Sequence, residues 1–169
     1  MTGAFDPARI MRLLDERGVA YILIGGLATN LHGYDRVTAD MDVCYERSRP
    51  NVERLVDVLR ELHATPRGWP ADAPFVLDVQ TILNGDSFTF STDAGNLDIL
   101  GTPTGSQGYA DLVQTVEVYD LGEGLCIQVV GLEDLIRLKR AAGRRKDVDD
   151  ADALEEIREL RREDQGNPT

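Results

Sequence analysis

Apolar residues recur along the chain with two periods, one typical of helices and one typical of strands. Three- and four-residue spacing behind helix-start residues such as Asp6-Pro7 and Pro50 predicts helices over residues 6–18, 27–32, 50–62, 131–142 and 146–162. Short apolar or alternating runs bounded by turn residues predict strands over residues 19–24, 40–45, 75–83, 87–92, 96–101, 113–119 and 125–130. The proline-rich residues 64–74 and the glycine-rich residues 101–108 are predicted as loops.

This order of elements predicts an α/β (α+β) protein with a small mixed β-sheet flanked by helices. The 169 residues are enough for one domain with a sizeable core. Within it we expect a core over residues 1–130, C-terminal helices over 131–163 packed on that core, and a frayed tail over 164–169.

The formal net charge of −12 argues against broad, sequence-independent binding of nucleic acid, which depends on a basic surface. The same charge is compatible with a local basic site, since six cations fall within ten residues: Arg137, Lys139, Arg140, Arg144, Arg145 and Lys146.

Membrane and disulfide signals are lacking in the sequence. The apolar runs are too short to span a bilayer, and the first 18 residues lack a signal-peptide pattern, so we expect a cytoplasmic protein that binds no membrane. Cys44 and Cys126 lie in apolar segments, which predicts two buried free thiols and no zinc site.

Three aspartates lie on predicted strands, where aspartate is disfavoured. Asp40 and Asp42 are two residues apart and therefore project from one face, and Asp98 lies between apolar residues on a further strand. Two solvated aspartates on an edge strand would explain the first pair alone. Three converging carboxylates would raise one another's pKa values, and Mg²⁺, which prefers oxygen ligands, would remove that repulsion. Two such ions would activate an attacking oxygen and stabilise a leaving one.

The pair Gly25-Gly26 follows the first predicted strand. It could be a simple strand-to-helix turn. Alternatively, the missing side chains let backbone N–H groups approach a phosphate. No Gly-Lys-Ser/Thr follows, so the pair is not part of a P-loop.

These motifs occur in a recognisable order. Ile24-Gly25-Gly26 is followed after thirteen residues by Asp40-Met41-Asp42-Val43, and later by Leu97-Asp98-Ile99. This order resembles the signature of the nucleotidyltransferase superfamily, which has the DNA polymerase β-like fold. The stretch GGLATNLHGYDRVTADMD also resembles the small bacterial branch that contains AbiEii-type toxins, minimal nucleotidyltransferases and lincosamide nucleotidyltransferases. The resemblance covers roughly residues 5–160.

The resemblance implies a Mg²⁺-dependent enzyme that moves NMP from an NTP to an acceptor hydroxyl. Asp40 and Asp42 would bind the metal ions that hold the triphosphate, and Gly25 and Gly26 would contact its β- and γ-phosphates. Asp98, as the third acid of the metal site, would deprotonate or orient the acceptor hydroxyl. Many relatives have serine in place of Gly26, so one hydroxyl contact is lost here.

The basic stretch also resembles the AbiEii-like group, in which a lysine faces the triphosphate and a later acid lies near the site. This implies a phosphate-binding role for Lys139 and, with less support, roles for Lys146 and Asp147. A solvated helix face with ion pairs is the alternative. Arg36 and Thr38 precede the acids on a predicted loop and are further candidates for contacts with phosphate.

The acceptor is left open by the sequence. A small molecule fits the acidic chain, whereas the resemblance to AbiEii-type toxins favours RNA or protein as acceptor, with a cognate antitoxin or a homodimer as possible partners. The alternative from another class is a non-catalytic module that binds nucleotide or a partner protein, such as an antitoxin or a regulatory subunit.

Overall fold

The computed structural model describes residues 3–166. Its helices are α1 (Pro7–Glu16), α2 (Gly25–Leu31), α3 (Arg49–Glu61), α4 (Val79–Asn84), α5 (Tyr109–Leu112), α6 (Leu132–Ala142) and α7 (Arg145–Gly166), with one 3₁₀ turn at Val113–Thr115. Its strands are β1 (Tyr21–Ile24), β2 (Asp40–Tyr45), β3 (Thr65–Pro66), β4 (Ser87–Thr92), β5 (Gly95–Leu100), β6 (Glu117–Asp120) and β7 (Cys126–Val129).

The strands form one mixed sheet in the order β3-β4-β5-β2-β1-β7-β6. The β2–β5 and β1–β7 pairs are parallel, and the remaining pairs are antiparallel. Helices cover the sheet, so the predicted fold class, an α/β protein with a mixed sheet and C-terminal helices, is confirmed. The central strands β5, β2 and β1 bring the predicted acids and the glycine pair to neighbouring positions.

Local sequence explains where the main helices begin. The side chain of Asp6 accepts a hydrogen bond from the backbone N–H of Arg9 at 3.1 Å, which caps α1 as expected. Ser48 caps α3, and Pro50 occupies its first turn. The apolar face of α3 is fully enclosed in the core, at Val52, Leu55, Val56, Val58 and Leu59.

The strand predicted over residues 75–83 is wrong, because its second half forms helix α4. The Asp78 side chain accepts a hydrogen bond from the N–H of Thr81 at 2.8 Å and so starts a helix. Ile82 is the buried residue of this helix. An apolar run of this length fits either element, and the capping aspartate decides between them.

Three further boundaries differ from the predictions. The strand predicted over 113–119 begins only at Glu117, because Val113–Thr115 form the 3₁₀ turn. The predicted loop 64–74 contains the two residues of β3, which pair with β4. Helix α7 continues to Gly166, so residues 164–166 of the predicted frayed tail are helical, and 167–169 lie outside the described residues.

The two cysteines differ in burial, which corrects the expectation that both are buried. Cys44 is fully buried on β2, whereas Cys126 is exposed at the start of β7, beside the hairpin turn. Both are free thiols, as predicted. Over residues 3–166, none of the helices has the length and apolar character needed to cross a membrane.

Candidate active site

The glycine turn lies directly against one of the predicted acids. Gly25 has a φ of +70°, a conformation that favours glycine. A Cβ atom placed on it would lie 2.2 Å from Oδ2 of Asp42, so no other residue fits without moving that carboxylate. The antiparallel register of β1 and β2, which pairs Ile24 with Asp42, produces this contact.

The acids come together through the parallel pairing of β2 with β5. Asp42 stands opposite Asp98, and Asp40 stands opposite Asn96. Paired residues project from the same face of a sheet, so all three carboxylates lie on one face. The Asn96 side chain donates a hydrogen bond to Oδ1 of Asp40 at 3.0 Å. The expected meeting of the three aspartates is therefore present in the structure.

This arrangement changes the acidity of two carboxyl groups. Burial, followed by the charges of Asp98 and Asp40, raises the pKa of Asp42 to about 6. Burial also raises the pKa of Asp98 above its usual range, although the guanidinium of Arg67 acts in the opposite direction. Like charges that stand opposite each other on a sheet are destabilising, so contacts among these acids do not stabilise the fold without a cation.

A cavity of about 610 Å³ lies above these acids, within the range of small-molecule sites. It is lined by every predicted site residue except Gly26: Gly25, Arg36, Thr38, Asp40, Asp42, Asp98, Lys139 and Lys146. Arg144, Asp147 and the apolar residues Leu100, Pro103, Leu135 and Leu138 also line it. Carboxylates from the sheet and cations from α6, α7 and the loop before β2 therefore share one space.

Gly26 lies beside the cavity, packed against the loop before β2. A Cβ atom on Gly26 would lie 2.6 Å from Oγ1 of Thr38 and 3.0 Å from Nη2 of Arg36. Thr38 in turn donates a hydrogen bond to the carbonyl of Asp40 at 3.2 Å. Gly26 thus allows the loop that carries Arg36 and Thr38 to approach the glycine turn closely.

Lys139 is held by two buried aspartates of α7. Its Nζ donates a hydrogen bond to Oδ2 of Asp150 at 2.7 Å and lies 3.5 Å from Oδ1 of Asp147. Nε of Arg36 lies 3.0 Å from the other oxygen of Asp150. The chain reverses between α6 and α7 at Gly143, whose φ of +68° ends α6. This reversal brings the acids of α7 back to the lysine of α6.

Asp147 also holds a second cation of the cavity. Nε of Arg144 donates to it at 2.7 Å. Burial opposes ionisation of this carboxyl, but the hydrogen bond from Arg144 and the charge of Lys139 lower the pKa of Asp147 below its usual value. Asp147 and Asp150, which are almost completely buried, thus orient three cations of the cavity. These are Arg36, Lys139 and Arg144.

Sequence reasoning missed Arg67, which forms an ion pair with Asp98 and lies 3.9 Å from Oδ1 of Asp40. It also treated residues 101–108 as a plain connection, whereas Pro103 and Thr104 line the cavity. Arg67 could not be found from spacing, because it reaches Asp98 across a neighbouring strand from within the proline-rich segment.

The cations of the basic stretch are largely paired with acids. Arg137 binds Asp111 and Asp134, and Arg140 binds Asp152 and Glu155. With Lys139 and Arg144 held by α7, the stretch presents much less free positive charge than its sequence suggests.

The donor set suits a hard divalent cation, since it consists of carboxylate oxygens beside an open cavity. The set is not preorganised, however: within residues 3–166, no group of three or more His, Cys, Asp or Glu side chains already has the geometry of a metal site. Asn96 and Arg67 engage Asp40 and Asp98 instead. The residues fit a metal ion chemically and would have to release these partners to bind it.

The fold is similar to that of solved nucleotidyltransferase structures. No protein-family model and no curated protein matches the sequence. The lincomycin-bound lincosamide antibiotic adenylyltransferase LnuA aligns with a TM-score of 0.61 at 16% identity, over 89% of this chain and 95% of LnuA. TM1012 of Thermotoga maritima, a proposed nucleotidyltransferase, aligns at 0.56 and 15% identity, over 91% and 94% of the two chains.

A further structure with this fold is that of the antibiotic-resistance factor ANT(2'')-Ia. It aligns with a TM-score of 0.53 at 15% identity, over 95% of this chain and 91% of its own. These likenesses confirm the fold that the sequence resemblance implied. Membership of the AbiEii-type branch and the roles of the site residues stay predictions.

Proposed function

We propose that this protein is a Mg²⁺-dependent nucleotidyltransferase that moves NMP from an NTP to a hydroxyl group of a small-molecule acceptor. The observation that carries the proposal is the single cavity in which three aspartates of the sheet meet Arg36, Lys139, Arg144 and Lys146 beside a glycine turn. Carboxylates suit the metal ions that accompany a triphosphate, and the cations suit its phosphates.

The reaction can be assigned to residues of the chain. Asp98 would accept the proton of the acceptor hydroxyl, whose oxygen then forms a bond to the α-phosphorus. The bond between the α-phosphorus and the bridging oxygen breaks, and pyrophosphate leaves. Gly25 and the cations of α6 and α7 would hold the triphosphate in line for this displacement. Bound magnesium would supply charge neutralisation at Asp40, Asp42 and Asp98 and would polarise the phosphates.

The position of Asp98 supports its role as a base, since a general base must lie within hydrogen-bond reach of the proton that it accepts. Asp98 also remains on the same face as Asp42, next to the metal-binding oxygens. Without this proximity, a hydroxyl attacking the α-phosphorus could not reach the base.

A small molecule is favoured over RNA as acceptor by the charge of the surface. The cations over residues 137–144 are engaged with acids, and the net charge of −12 would repel a polyanion. LnuA was solved with lincomycin and ANT(2'')-Ia with adenylyl-2''-tobramycin. Antibiotics with free hydroxyl groups are therefore the first acceptors to test. A toxin role and a cognate antitoxin stay predictions.

The test measures pyrophosphate release from each NTP with Mg²⁺, in the presence of lincomycin, tobramycin, a small-molecule extract, bulk tRNA or bulk protein. We expect release with a small-molecule acceptor and mass spectrometry showing that acceptor increased by one NMP. Asp42→Asn and Asp98→Asn should each abolish release. Asp57→Asn, a substitution at an exposed position of α3, is the matched control and should retain activity.

Two results would overturn the proposal. One is tight NTP binding with no product from any of the acceptors or mixtures tested, which would favour a non-catalytic nucleotide-binding module. The other is transfer to tRNA or protein alone, which would identify a macromolecular acceptor.

A further inference from the structure

Arg67 is the one cation in direct contact with the catalytic acids among the described residues, and nothing in the proposed reaction requires it. It follows β3, and its backbone N–H donates to the carbonyl of Thr89 at 2.8 Å, which extends the pairing of β3 with β4 by one residue. Thr89 stands opposite Asp98, and Asp98 opposite Asp42. These four residues therefore form one row across the sheet.

The row determines where the Arg67 side chain can go. Side chains of paired residues project from the same face, so Arg67 emerges on the face that carries the acids. Thr89 between them is short and exposed, which leaves room for the longer side chain to cross it. The guanidinium then contacts Oδ1 of Asp98 through Nη2 and lies 3.9 Å from Asp40 through Nη1.

This ion pair is incompletely satisfied. Arg67 Nε is buried and has no hydrogen-bond partner within the described part of the chain. The side chain of Arg67 keeps 29% of its surface exposed, whereas Asp98 keeps 18%. A guanidinium that is built permanently into a structure uses its planar set of donors more fully. In Arg67 the charge of the guanidinium is paired with the aspartates, while much of its hydrogen-bonding capacity is unused.

Charge explains why a cation is present at this position. Asp40, Asp42 and Asp98 would repel one another strongly without a counter-charge, because two of them are largely removed from water. Lys139 and Lys146 act on Asp42 from a greater distance and without direct contact. Among the cations of residues 3–166, Arg67 alone touches Asp98. A divalent cation bound by Asp98 would compete with the guanidinium of Arg67 for the charge of one carboxylate, and the two cations would repel each other at that distance.

We propose that Arg67 is the internal counter-ion of the aspartate row, balancing Asp98 and Asp40 in the metal-free protein and leaving Asp98 when a divalent cation binds. Arg67 thereby sets the metal affinity of the site. The inference rests on the proposed function only in placing the divalent cation at these aspartates. It does not depend on nucleotide or on catalytic turnover.

The experiment measures Mn²⁺ binding without nucleotide, from the electron paramagnetic resonance signal of free Mn²⁺. Removing one opposing charge near the site should lower the Mn²⁺ dissociation constant of Arg67→Gln by about five- to tenfold. Arg67→Lys, which keeps the charge, should stay within about twofold of the wild type. Arg17→Gln, which removes the same charge from a surface pair with Glu61, is the matched control and should also stay within about twofold.

Thermal unfolding provides a second readout on the same proteins. Metal-free Arg67→Gln should unfold at a lower temperature than the metal-free wild type. Adding Mn²⁺ should raise the unfolding temperature of Arg67→Gln by more than it raises that of the wild type. Should Arg67→Gln fail to fold, Arg67→Met, which keeps the apolar part of the side chain, gives the same comparison. Metal affinity in Arg67→Gln that is equal to or weaker than that of the wild type would overturn the inference. So would the absence of Mn²⁺ binding in both proteins.

The two proposals fail in distinguishable ways. Tighter Mn²⁺ binding by Arg67→Gln with no NMP transfer by the wild type would support the inference and count against the proposed function. NMP transfer by the wild type with unchanged Mn²⁺ affinity in Arg67→Gln would overturn the inference alone.

Discussion

Asp42 and Asp98 stand directly opposite each other on the parallel strands β2 and β5, and both residues are partly buried. Two like charges in these positions oppose folding. The arrangement therefore has a measurable cost in the metal-free protein, and a bound cation would reverse it.

Replacing Asp42 by Asn should stabilise the metal-free protein at pH 8 by about 1–3 kcal/mol. The folded pKa of Asp42 is about 6, above its unfolded value of 3.8, so the folded protein holds this proton more tightly. The resulting stabilisation is complete below about pH 4 and is lost as the pH rises through about 6. Urea unfolding of both proteins at intervals from pH 4 to pH 8 measures the change.

Asp57→Asn is the control for this experiment and should show no such pH-dependent difference from the wild type. Excess Mg²⁺ should reduce or reverse the advantage of Asp42→Asn, because the metal stabilises only the carboxylate. A wild-type protein that gains stability relative to Asp42→Asn between pH 5 and pH 7 would contradict the pKa assignment.

Gly25→Ala should destabilise the protein more than Gly68→Ala. Both glycines have φ values near +70°, so both variants carry a similar backbone strain of about 1 kcal/mol. Only Gly25 faces a neighbour, Oδ2 of Asp42, which an added Cβ would meet at 2.2 Å, whereas Gly68 faces open space. We expect a further loss of about 1–3 kcal/mol for Gly25→Ala.

Chemical denaturation compares these two variants, and Mn²⁺ binding reports whether the carboxylate of Asp42 has moved. Equal loss of stability in both variants, with unchanged metal affinity, would show that the contact between the glycine turn and Asp42 is unimportant.

Asp150→Ala should lower the free energy of unfolding by about 3–5 kcal/mol, because it leaves the buried Lys139 and Arg36 with one fewer anion. Asp152, on the same helix as Asp150, forms an exposed pair with Arg140 of α6, so Asp152→Ala should cost much less stability than Asp150→Ala. Urea unfolding measures both effects.

A structural role alone would change stability but not ligand affinity at temperatures where the variant is folded. Calorimetric titration with a nonhydrolysable ATP analogue separates the two, and we expect weaker binding by folded Asp150→Ala than by Asp152→Ala. Similar affinity in both would limit Asp150 to stabilising the fold.

The two cysteines should differ in reactivity toward a thiol reagent at pH 8. Cys126 is exposed and should react within minutes in the native protein. Cys44 is buried, and burial raises the pKa of its thiol to about 12, so it should react only on unfolding. A native protein that titrates two thiols at once, or none, would contradict this difference, and Cys126→Ser identifies the reactive residue.

The sequence predicted the parts of the site that lie on one strand or follow one another closely. Asp40 and Asp42 could be assigned to one face because alternation along a strand has a fixed period. Their meeting with Asp98 was inferred on the assumption that its strand is a neighbour of β2, and no period along the chain fixes which strands pair. The structure brings these residues together as expected, whereas their chemical roles still require the experiments above.

Contacts that depend on side-chain reach were not predictable in the same way. Arg67 meets Asp98 by crossing Thr89, and a proline-rich segment gives no period from which to infer that crossing. Helix α4 was missed because one hydrogen bond, donated by the N–H of Thr81 to the side chain of Asp78, outweighed an apolar pattern that suits either element.

The attachment of Lys139 and Arg36 to Asp150 has a consequence for chain synthesis. A ribosome makes α7 after the sheet and after α6. A growing or prematurely ended chain can therefore carry the glycine turn and the three aspartates before it carries Asp150, the anion that orients Arg36 and Lys139. Such a fragment would possess the acidic half of the site without an ordered basic half. Incomplete chains would therefore carry the three carboxylates without an oriented lysine of α6 beside them.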